Sequence, residues 1–211
     1  DLVSTHSQIS FTDTIKLLPP DLNGGINLMS AFNLRKSSRD FEKNAKKLTL
    51  KQLSEIMWVA YGQSHGENNK LKTVASAVAL FPLEIYALFS EGIYKYDPIK
   101  NELNIVVKGD YTDKVGMQDF AKNAFLNILV FADKKKKTGN PHFDDMLDAN
   151  PIKKRECALL DAGHVMQNVY LYCASEGLKC VERGSTDAEF FEKLLSWILR
   201  LILLLTWIIR R

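Results

Sequence analysis

Residues 151–175 follow a helical pattern with so little polar surface that other parts of the chain must cover the helix. The helix is expected to end at Gly177, because glycine readily adopts the left-handed conformation found after a helix. The adjacent small residues Ala162 and Gly163 would let another backbone come close. We therefore expect a long buried central helix, around which the other elements are arranged.

The other apolar segments are short and are separated by turn residues. Three runs rich in Ile, Tyr, Val and Leu follow one another closely, which predicts a meander of antiparallel strands. The predicted strands lie at 84–89, 92–96, 102–107, 128–132 and 178–182. The other predicted helices lie at 27–34, 50–61 and 115–124. These elements predict an α+β fold with a central, mostly antiparallel sheet flanked by helices.

The order of these segments predicts one folded domain with two distinct ends. Residues 1–26 are polar at first and then rich in proline and glycine, which indicates an extended lead-in. Residues 27–193 hold all of the predicted helices and strands. Residues 194–211 form an atypical apolar tail.

Composition excludes several kinds of function. A net charge of +3 on 211 residues is too small to indicate nucleic-acid binding, and the four lysines at 134–137 are expected in a solvated loop. The three cysteines and four histidines show no metal-ligand spacing. No acid or base stands out as catalytic. We therefore expect no metal site and assign no catalytic residue.

The segment 34–41 reads Leu-Arg-Lys-Ser-Ser-Arg-Asp-Phe, with Arg35, Ser37 and Arg39 at every second position. In an extended segment these three side chains lie on the same face, where guanidinium and hydroxyl groups can bind one phosphate. Basic residues in a surface turn are more often only solvated. The pattern alone is therefore a weak indication of a binding site.

A second segment, Lys-Thr-Val-Ala-Ser-Ala-Val-Ala-Leu-Phe-Pro-Leu-Glu-Ile-Tyr from residue 72, makes the pattern more specific. Together with Arg-Lys-Ser-Ser-Arg it resembles the flavin-binding nitroreductase family. The resemblance continues through Gly-Ile-Tyr-Lys-Tyr-Asp-Pro from 92, Asp-Ala-Gly-His-Val-Met-Gln-Asn from 161 and Gly-Leu-Lys-Cys-Val-Glu-Arg-Gly from 177. It covers residues from about 27 to 190. The tyrosine-rich and Phe-Pro-Leu-Glu segments most resemble the branch that includes oxidases of azoline-forming peptide clusters.

The resemblance implies a homodimer with two FMN molecules in its interface. Arg35 and Ser37 would bind the phosphate and ribityl end, Lys36 the pyrimidine edge, and Arg39 the N1 and O2 side of the ring. The second subunit would contact the flavin through Ala75, Ser76 and Ala77, where the family usually has a proline first, and through Ala79. Arg183 and Gly184 stand where the family places a backbone N–H against flavin N5.

The implied activity is hydride transfer from NAD(P)H, through FMN, to nitroaromatic, quinone or similar small acceptors. Two alternatives stay open at this point. One is a flavin-dependent oxidase of peptide azolines, and the other is a non-catalytic homodimer that has lost flavin.

The C-terminal sequence departs from the family pattern, which usually continues to a final strand with basic residues near the phosphate. We expect that strand to be absent here, with the tail acting as an apolar arm or arising from a reading-frame shift near residue 196. Its apolar run is too short to span a bilayer, so no integral membrane segment is expected. The chain begins at Asp1 without methionine, which leaves open a cytoplasmic protein or, after removal of a leader, a periplasmic one.

Overall fold

The computed structural model describes residues 7–41, 47–65, 71–116, 118, 120, 123–184, 187–195 and the backbone of 205–210. The helices are α1 (Leu28–Leu34), α2 (Leu50–Tyr61), α3 (Pro141–Asp148), α4 (Pro151–Ser175) and α5 (Ala188–Leu194). The strands are β1 (Thr14–Lys16), β2 (Leu83–Phe89), β3 (Gly92–Asp97), β4 (Glu102–Lys108), β5 (Leu126–Ala132), β6 (Lys179–Arg183) and β7 (Leu205–Arg210).

The strands form one sheet in the order β1-β4-β3-β2-β5-β7-β6, and every neighbouring pair is antiparallel. The meander β2-β3-β4 is built by tight connections, as the short apolar runs predicted. The predicted α+β fold with a central antiparallel sheet and flanking helices is confirmed. The lead-in contributes more than predicted, because β1 pairs with β4 along the edge of the sheet.

Both faces of the sheet are covered. Side chains alternate along β5, so Ile128 and Val130 pack on one face while Leu129 and Phe131 pack on the other. The first face carries α2 and α4, and the second carries α5 through Phe191. A strand buried on both faces is expected to be mostly apolar, which explains the hydrophobic run Ile128 to Ala132 of β5; the buried Asn127 is the one polar residue of the strand.

Helix α4 has the predicted length, but in the single chain only one of its faces is covered. Val165, Val169 and Cys173 are fully buried against the sheet side. On the opposite side Leu160 is 63% exposed, and Leu159, on the flank of the buried face, is 38% exposed. The apolar residues that made the whole helix look buried therefore divide between a packed face and an open one.

Two predicted features near the chain's second half differ from the structure. The helix predicted at 115–124 falls partly outside the described residues. Its described residues follow a short 3₁₀ turn at Thr112–Lys114 and are not part of an α-helix. The final strand was predicted to be absent, and this was wrong. Residues 205–210 form β7 between β5 and β6, where a segment rich in Leu, Ile, Thr and Trp has the residue types that strands favour.

The lead-in packs over α2 and α4, and together with α1 and the segment after α2 they line an open cavity of about 600 Å³. Ile26 N–H donates to Ser175 Oγ at 2.9 Å, and Lys51 Nζ lies 2.9 Å from Asp21 Oδ2. Lys72 lines the same cavity, with its ammonium 4.1 Å from the ring centre of Tyr61. Burial, and secondarily the charge of Lys136, lowers the pKa of Lys72 from 10.5 to about 8.

The position of β7 predicts that its backbone is essential to the sheet. Ile208 pairs with Asn127 of β5 and with Val181 of β6, so a proline there would remove a ladder hydrogen bond from a strand with neighbours on both sides. We expect Ile208→Pro to lower the free energy of unfolding by about 2 kcal/mol or more, measured by urea titration. The control Ile208→Val keeps a β-branched residue and should have little effect. A proline variant as stable as the wild type would contradict a central β7.

The lowered pKa of Lys72 predicts a pH-dependent contribution to stability. Between about pH 8 and pH 10 the unfolded chain binds more protons at this lysine than the folded chain does, so its contribution to stability rises with pH. We expect Lys72→Met to be more stable than the wild type near pH 7, with a difference that shrinks towards pH 10 in urea titrations. Lys100→Met, at an exposed lysine, is the control and should show no such trend. An equal difference at every pH would contradict the prediction.

Candidate functional site

The basic segment after α1 runs along β6, the last strand of the sheet. Ser38 N–H donates to the carbonyl of Cys180 at 2.9 Å. Two residues later, Lys179 Nζ donates to the carbonyl of Asp40 at 3.0 Å and to its carboxylate at 2.7 Å. The Lys179 hydrogen bond also lowers the pKa of Asp40. The segment thus covers an otherwise open strand edge and is held extended by it.

Side chains alternate from Arg35 to Ser38, as expected for an extended segment. Arg35 and Ser37 both meet Tyr170 of α4: the Arg35 guanidinium lies 5.1 Å from the ring centre, and Ser37 Oγ lies 2.8 Å from the hydroxyl. Lys36 and Ser38 instead line a cavity of about 280 Å³ on the other side, together with Cys173 and Cys180. The structure therefore joins Arg35 to Ser37 and places Lys36 apart from them. Arg39 is exposed farther along the segment.

Tyr170 organises this end of the site through contacts that its sequence pattern does not predict. Its hydroxyl accepts the backbone N–H of Glu182 at 3.0 Å, so it connects the basic segment to β6. The side chain is only 9% exposed. A tyrosine in an apolar helical pattern is read as core from sequence, and only its hydroxyl contacts reveal the second role.

The end of β6 separates the side chain of Arg183 from the backbone of Gly184. Arg183 is 6% exposed, and its guanidinium points inward, 3.4 Å from the Val115 carbonyl and 5.6 Å from the Phe120 ring centre. Burial lowers the pKa of Arg183. Gly184 is exposed, and a Cβ added there would meet nothing within 4 Å. Any contribution of this pair to a ligand is thus made by the open backbone at Gly184.

The second predicted set, Ala75, Ser76, Ala77 and Ala79, lies in a strained loop before β2. Val78, Ala79 and Phe81 have φ values of 50°, 54° and 46°, in the left-handed region that non-glycine residues rarely occupy. Such strain persists only where surrounding contacts hold it, and it is concentrated at ligand-binding and active sites.

A buried carboxylate of α4 holds this loop. Asp161, which is 1% exposed, accepts the Ser76 hydroxyl at 2.5 Å and the Ala77 N–H at 3.1 Å. The Ser76 oxygen in turn accepts the Phe81 N–H at 2.7 Å. Burial raises the pKa of Asp161, although both hydrogen bonds act in the opposite direction. From sequence, the one signal for Asp161 is that it is a carboxylate within an apolar helix.

The two sets of predicted residues contact different turns of α4. Asp161 and Tyr170 are nine residues apart, which is about 13 Å along a helix axis. The basic segment therefore lies at one level of the helix and the strained loop at another. In the part of the chain that is described, no group of three or more His, Cys, Asp or Glu side chains could hold a metal. No described helix is long and apolar enough to cross a membrane.

Comparison with known proteins identifies relatives over most of the chain. The sequence model of the Nitroreductase family matches residues 34–205. A candidate nitroreductase of Methanocaldococcus jannaschii is 30% identical over 183 residues, covering 82% of this chain and 85% of that protein. The crystal structure of a candidate nitroreductase from Ralstonia eutropha has a TM-score of 0.79 at 29% identity, covering 100% of this chain and 95% of that one.

Two further structures share the fold at lower identity. A chain of the Escherichia coli microcin synthetase complex, solved with a truncated pro-peptide bound, has a TM-score of 0.65 at 17% identity, covering 92% of this chain and 77% of that one. A candidate NAD(P)H:FMN oxidoreductase from Staphylococcus epidermidis has a TM-score of 0.59 at 14% identity, covering 92% and 91%. With the family match over 34–205, these findings show that the chain belongs to the nitroreductase family.

Proposed function

We propose that this member of the nitroreductase family is an FMN-dependent oxidoreductase that works as a homodimer, takes hydride from NAD(P)H and reduces nitroaromatic, quinone or similar small acceptors. The observation that carries the proposal is the contact of both Arg35 and Ser37 with Tyr170, whose hydroxyl accepts the Glu182 N–H two residues before the open backbone of Gly184.

The chemistry of this edge fits the phosphate end of FMN. A guanidinium and a hydroxyl on one side of an extended segment can both donate to phosphate oxygens. Stacking on the Tyr170 ring limits the freedom of Arg35, so less conformational entropy is lost when it binds. The nearest carboxylate in the segment, Asp40, is already bonded to Lys179 and does not cancel the positive charge.

In this proposal, the ring end of FMN lies against Gly184 and Arg39. Gly184 has open space beside its Cα, so a planar group can approach its backbone closely. Arg39 is exposed and would supply a fixed positive charge where negative charge develops on the reduced ring. FMN would supply the hydride-accepting and hydride-donating chemistry, and the chain would supply binding, orientation and this charge. Protons can come from water or substrate, which agrees with the absence of an assigned catalytic acid.

The open apolar surface of the single chain supports a second copy as the partner. In α4, Leu159 and Leu160 are exposed, and a Cβ at Gly163 would meet nothing within 4 Å. In α1, which packs on α4, Met29 is 74% exposed and Phe32 is 48% exposed. Several large apolar side chains exposed together on adjoining helices indicate a protein interface. In the proposed dimer, the strained loop of one subunit contacts the flavin held by the basic segment of the other.

A second candidate function is oxidation of azoline rings in a peptide. It is favoured by the Phe-Pro-Leu-Glu segment at 81–84 and by the fold shared with a chain of the microcin synthetase complex. A peptide thiazoline incubated with the protein and oxygen would lose two hydrogens on becoming a thiazole, which mass spectrometry detects. Oxidation of such a peptide without any reduction of nitroaromatics or quinones would favour this candidate.

The experiment that tests the proposal is the visible absorption spectrum of the purified chain, before and after addition of FMN and gel filtration. Retained flavin bands, followed by bleaching with NADH or NADPH under nitrogen and recovery on adding a quinone, would support the proposed cycle. A protein that retains no flavin would instead support the non-catalytic alternative.

The contacts of the basic segment predict which residues set FMN affinity. We expect Arg35→Ala and Ser37→Ala each to weaken FMN binding about tenfold or more, the size of one lost charge-assisted hydrogen bond. Binding would be measured by flavin fluorescence quenching. Lys108→Ala is the control, because that exposed lysine pairs with Asp13 at 2.8 Å on another part of the surface. Unchanged affinity in both site variants would show that the phosphate binds elsewhere.

The exposed face of α4 predicts the position of the dimer interface. We expect Leu160→Glu to convert the dimer to monomer in analytical ultracentrifugation, because a buried, unpaired carboxylate opposes association. Ile99→Glu is the matched control, since Ile99 is 76% exposed in the turn between β3 and β4, away from α4. Equal effects of the two substitutions would contradict an interface on α4.

A further inference from the structure

The strained loop at 75–81 is held by a chain of hydrogen bonds that begins at Asp161. The carboxylate accepts from two consecutive residues, the Ser76 hydroxyl and the Ala77 N–H. The Ser76 hydroxyl oxygen also accepts the Phe81 N–H, so Phe81 is linked to Asp161 through Ser76. The residues with left-handed φ values, Val78, Ala79 and Phe81, lie within the span that these bonds close.

Two donors, the Ser76 hydroxyl and the Ala77 N–H, face residue 161, and a carboxylate can accept from both. It has two acceptor oxygens and no donor, so the hydroxyl and the N–H can each point at an oxygen. An amide would have to turn a donor towards either Ser76 or Ala77. If Asn Oδ1 accepted the Ala77 N–H, the NH2 group would face Ser76 Oγ, which accepts the Phe81 N–H and has one lone pair left. The Ser76 hydroxyl hydrogen would then lose its acceptor on residue 161, so asparagine there weakens the network and replaces its charge-assisted hydrogen bonds with neutral ones.

Asp161 is buried, and its hydrogen bonds act on the middle of the loop. It is 1% exposed, and keeping a carboxylate in that position carries a cost in desolvation, which the two donors offset. Contacts elsewhere fix the ends of the loop, since the carbonyl of Ala75 lies 3.2 Å from His164 Nδ1 and Leu83 N–H donates to the Tyr61 hydroxyl at 3.3 Å. Asp161 acts on the part between them, which includes the exposed residue Ala79.

We propose that Asp161 is a positioning residue that holds loop 75–81 in its left-handed conformation and thereby shapes the surface that contacts the flavin bound by the partner subunit. The effect on flavin binding rests on the proposed function, whereas the constraint on the loop does not. Asp161 is buried and bonds to the loop, so its effect on binding would be indirect.

The first experiment compares Asp161→Asn with the wild type in two ways. Amide hydrogen exchange of the flavin-free protein measures the loop directly, and we expect the Ala77 and Phe81 amides to lose protection. FMN affinity measured by fluorescence quenching should fall about tenfold or more, because the loop must then be ordered at the expense of binding. Glu55→Gln is the control: Glu55 is also a buried carboxylate, accepts the Tyr172 hydroxyl at 2.7 Å, and lies on α2. It should leave both measurements near the wild-type values.

The outcomes separate this inference from the proposed function. A wild type that binds FMN, beside an Asp161→Asn variant with equal affinity and equal protection at Ala77 and Phe81, overturns the inference alone. A wild type that binds no FMN overturns the proposed function and the flavin part of the inference together. Ser76→Ala is a milder second variant that keeps the carboxylate, and it serves if Asp161→Asn does not fold. It should lose protection at Phe81 and keep it at Ala77.

Mixed dimers test whether the loop serves the partner's flavin. If it does, a dimer of one Arg35→Ala chain and one Asp161→Asn chain holds one site with both defects and one site with neither. We expect this dimer, isolated with two different affinity tags, to bind one FMN at wild-type affinity, while each variant homodimer binds weakly. If the loop serves the flavin of its own chain, every site carries one defect. No tight site would then form, and the proposal would be overturned.

Discussion

The packing of helix α4 against the sheet positions both halves of the candidate site. Val165, Val169 and Cys173 bury one face of the helix completely, so its rotation and depth are set by close-packed contacts. The same helix brings two polar groups, Asp161 and Tyr170, to the boundary between core and surface. Because the helix cannot move without disrupting the core, the loops bonded to these groups are fixed relative to the sheet.

The two groups act on their loops in different ways. Tyr170 joins strand β6 to an extended segment that has no strain, and so mainly limits the freedom of Arg35 and Ser37. Asp161 holds a conformation that the loop would not adopt alone, since left-handed φ values cost non-glycine residues about 1–3 kcal/mol each. One half of the site is thus preorganised by restricting side chains, and the other by constraining the backbone.

The arrangement also accounts for the open surface of the single chain. A helix that packs one face against the sheet and leaves Leu159 and Leu160 exposed has the open apolar surface that the proposed dimer needs. A second copy would cover this face and bring a second loop towards the first chain's basic segment. β7 contributes in a different way, because among the described strands it is the one that pairs with β6 and so joins β6 to the sheet.

The sequence by itself determined strands β2 to β6, helices α1, α2 and α4, and the alternation of Arg35, Lys36 and Ser37, because these depend on local periodicity and on residue types. It also carried the family, through motifs spread along the chain, and the family assignment is confirmed. It was wrong about the end of the chain, since a short apolar run has no local feature that distinguishes a free arm from a strand inserted between two others. The roles of Tyr170 and Asp161 were decided only by the tertiary structure. Each acts through hydrogen bonds to residues far away in sequence, and such contacts exist only once α4, β6 and the loop before β2 have packed together.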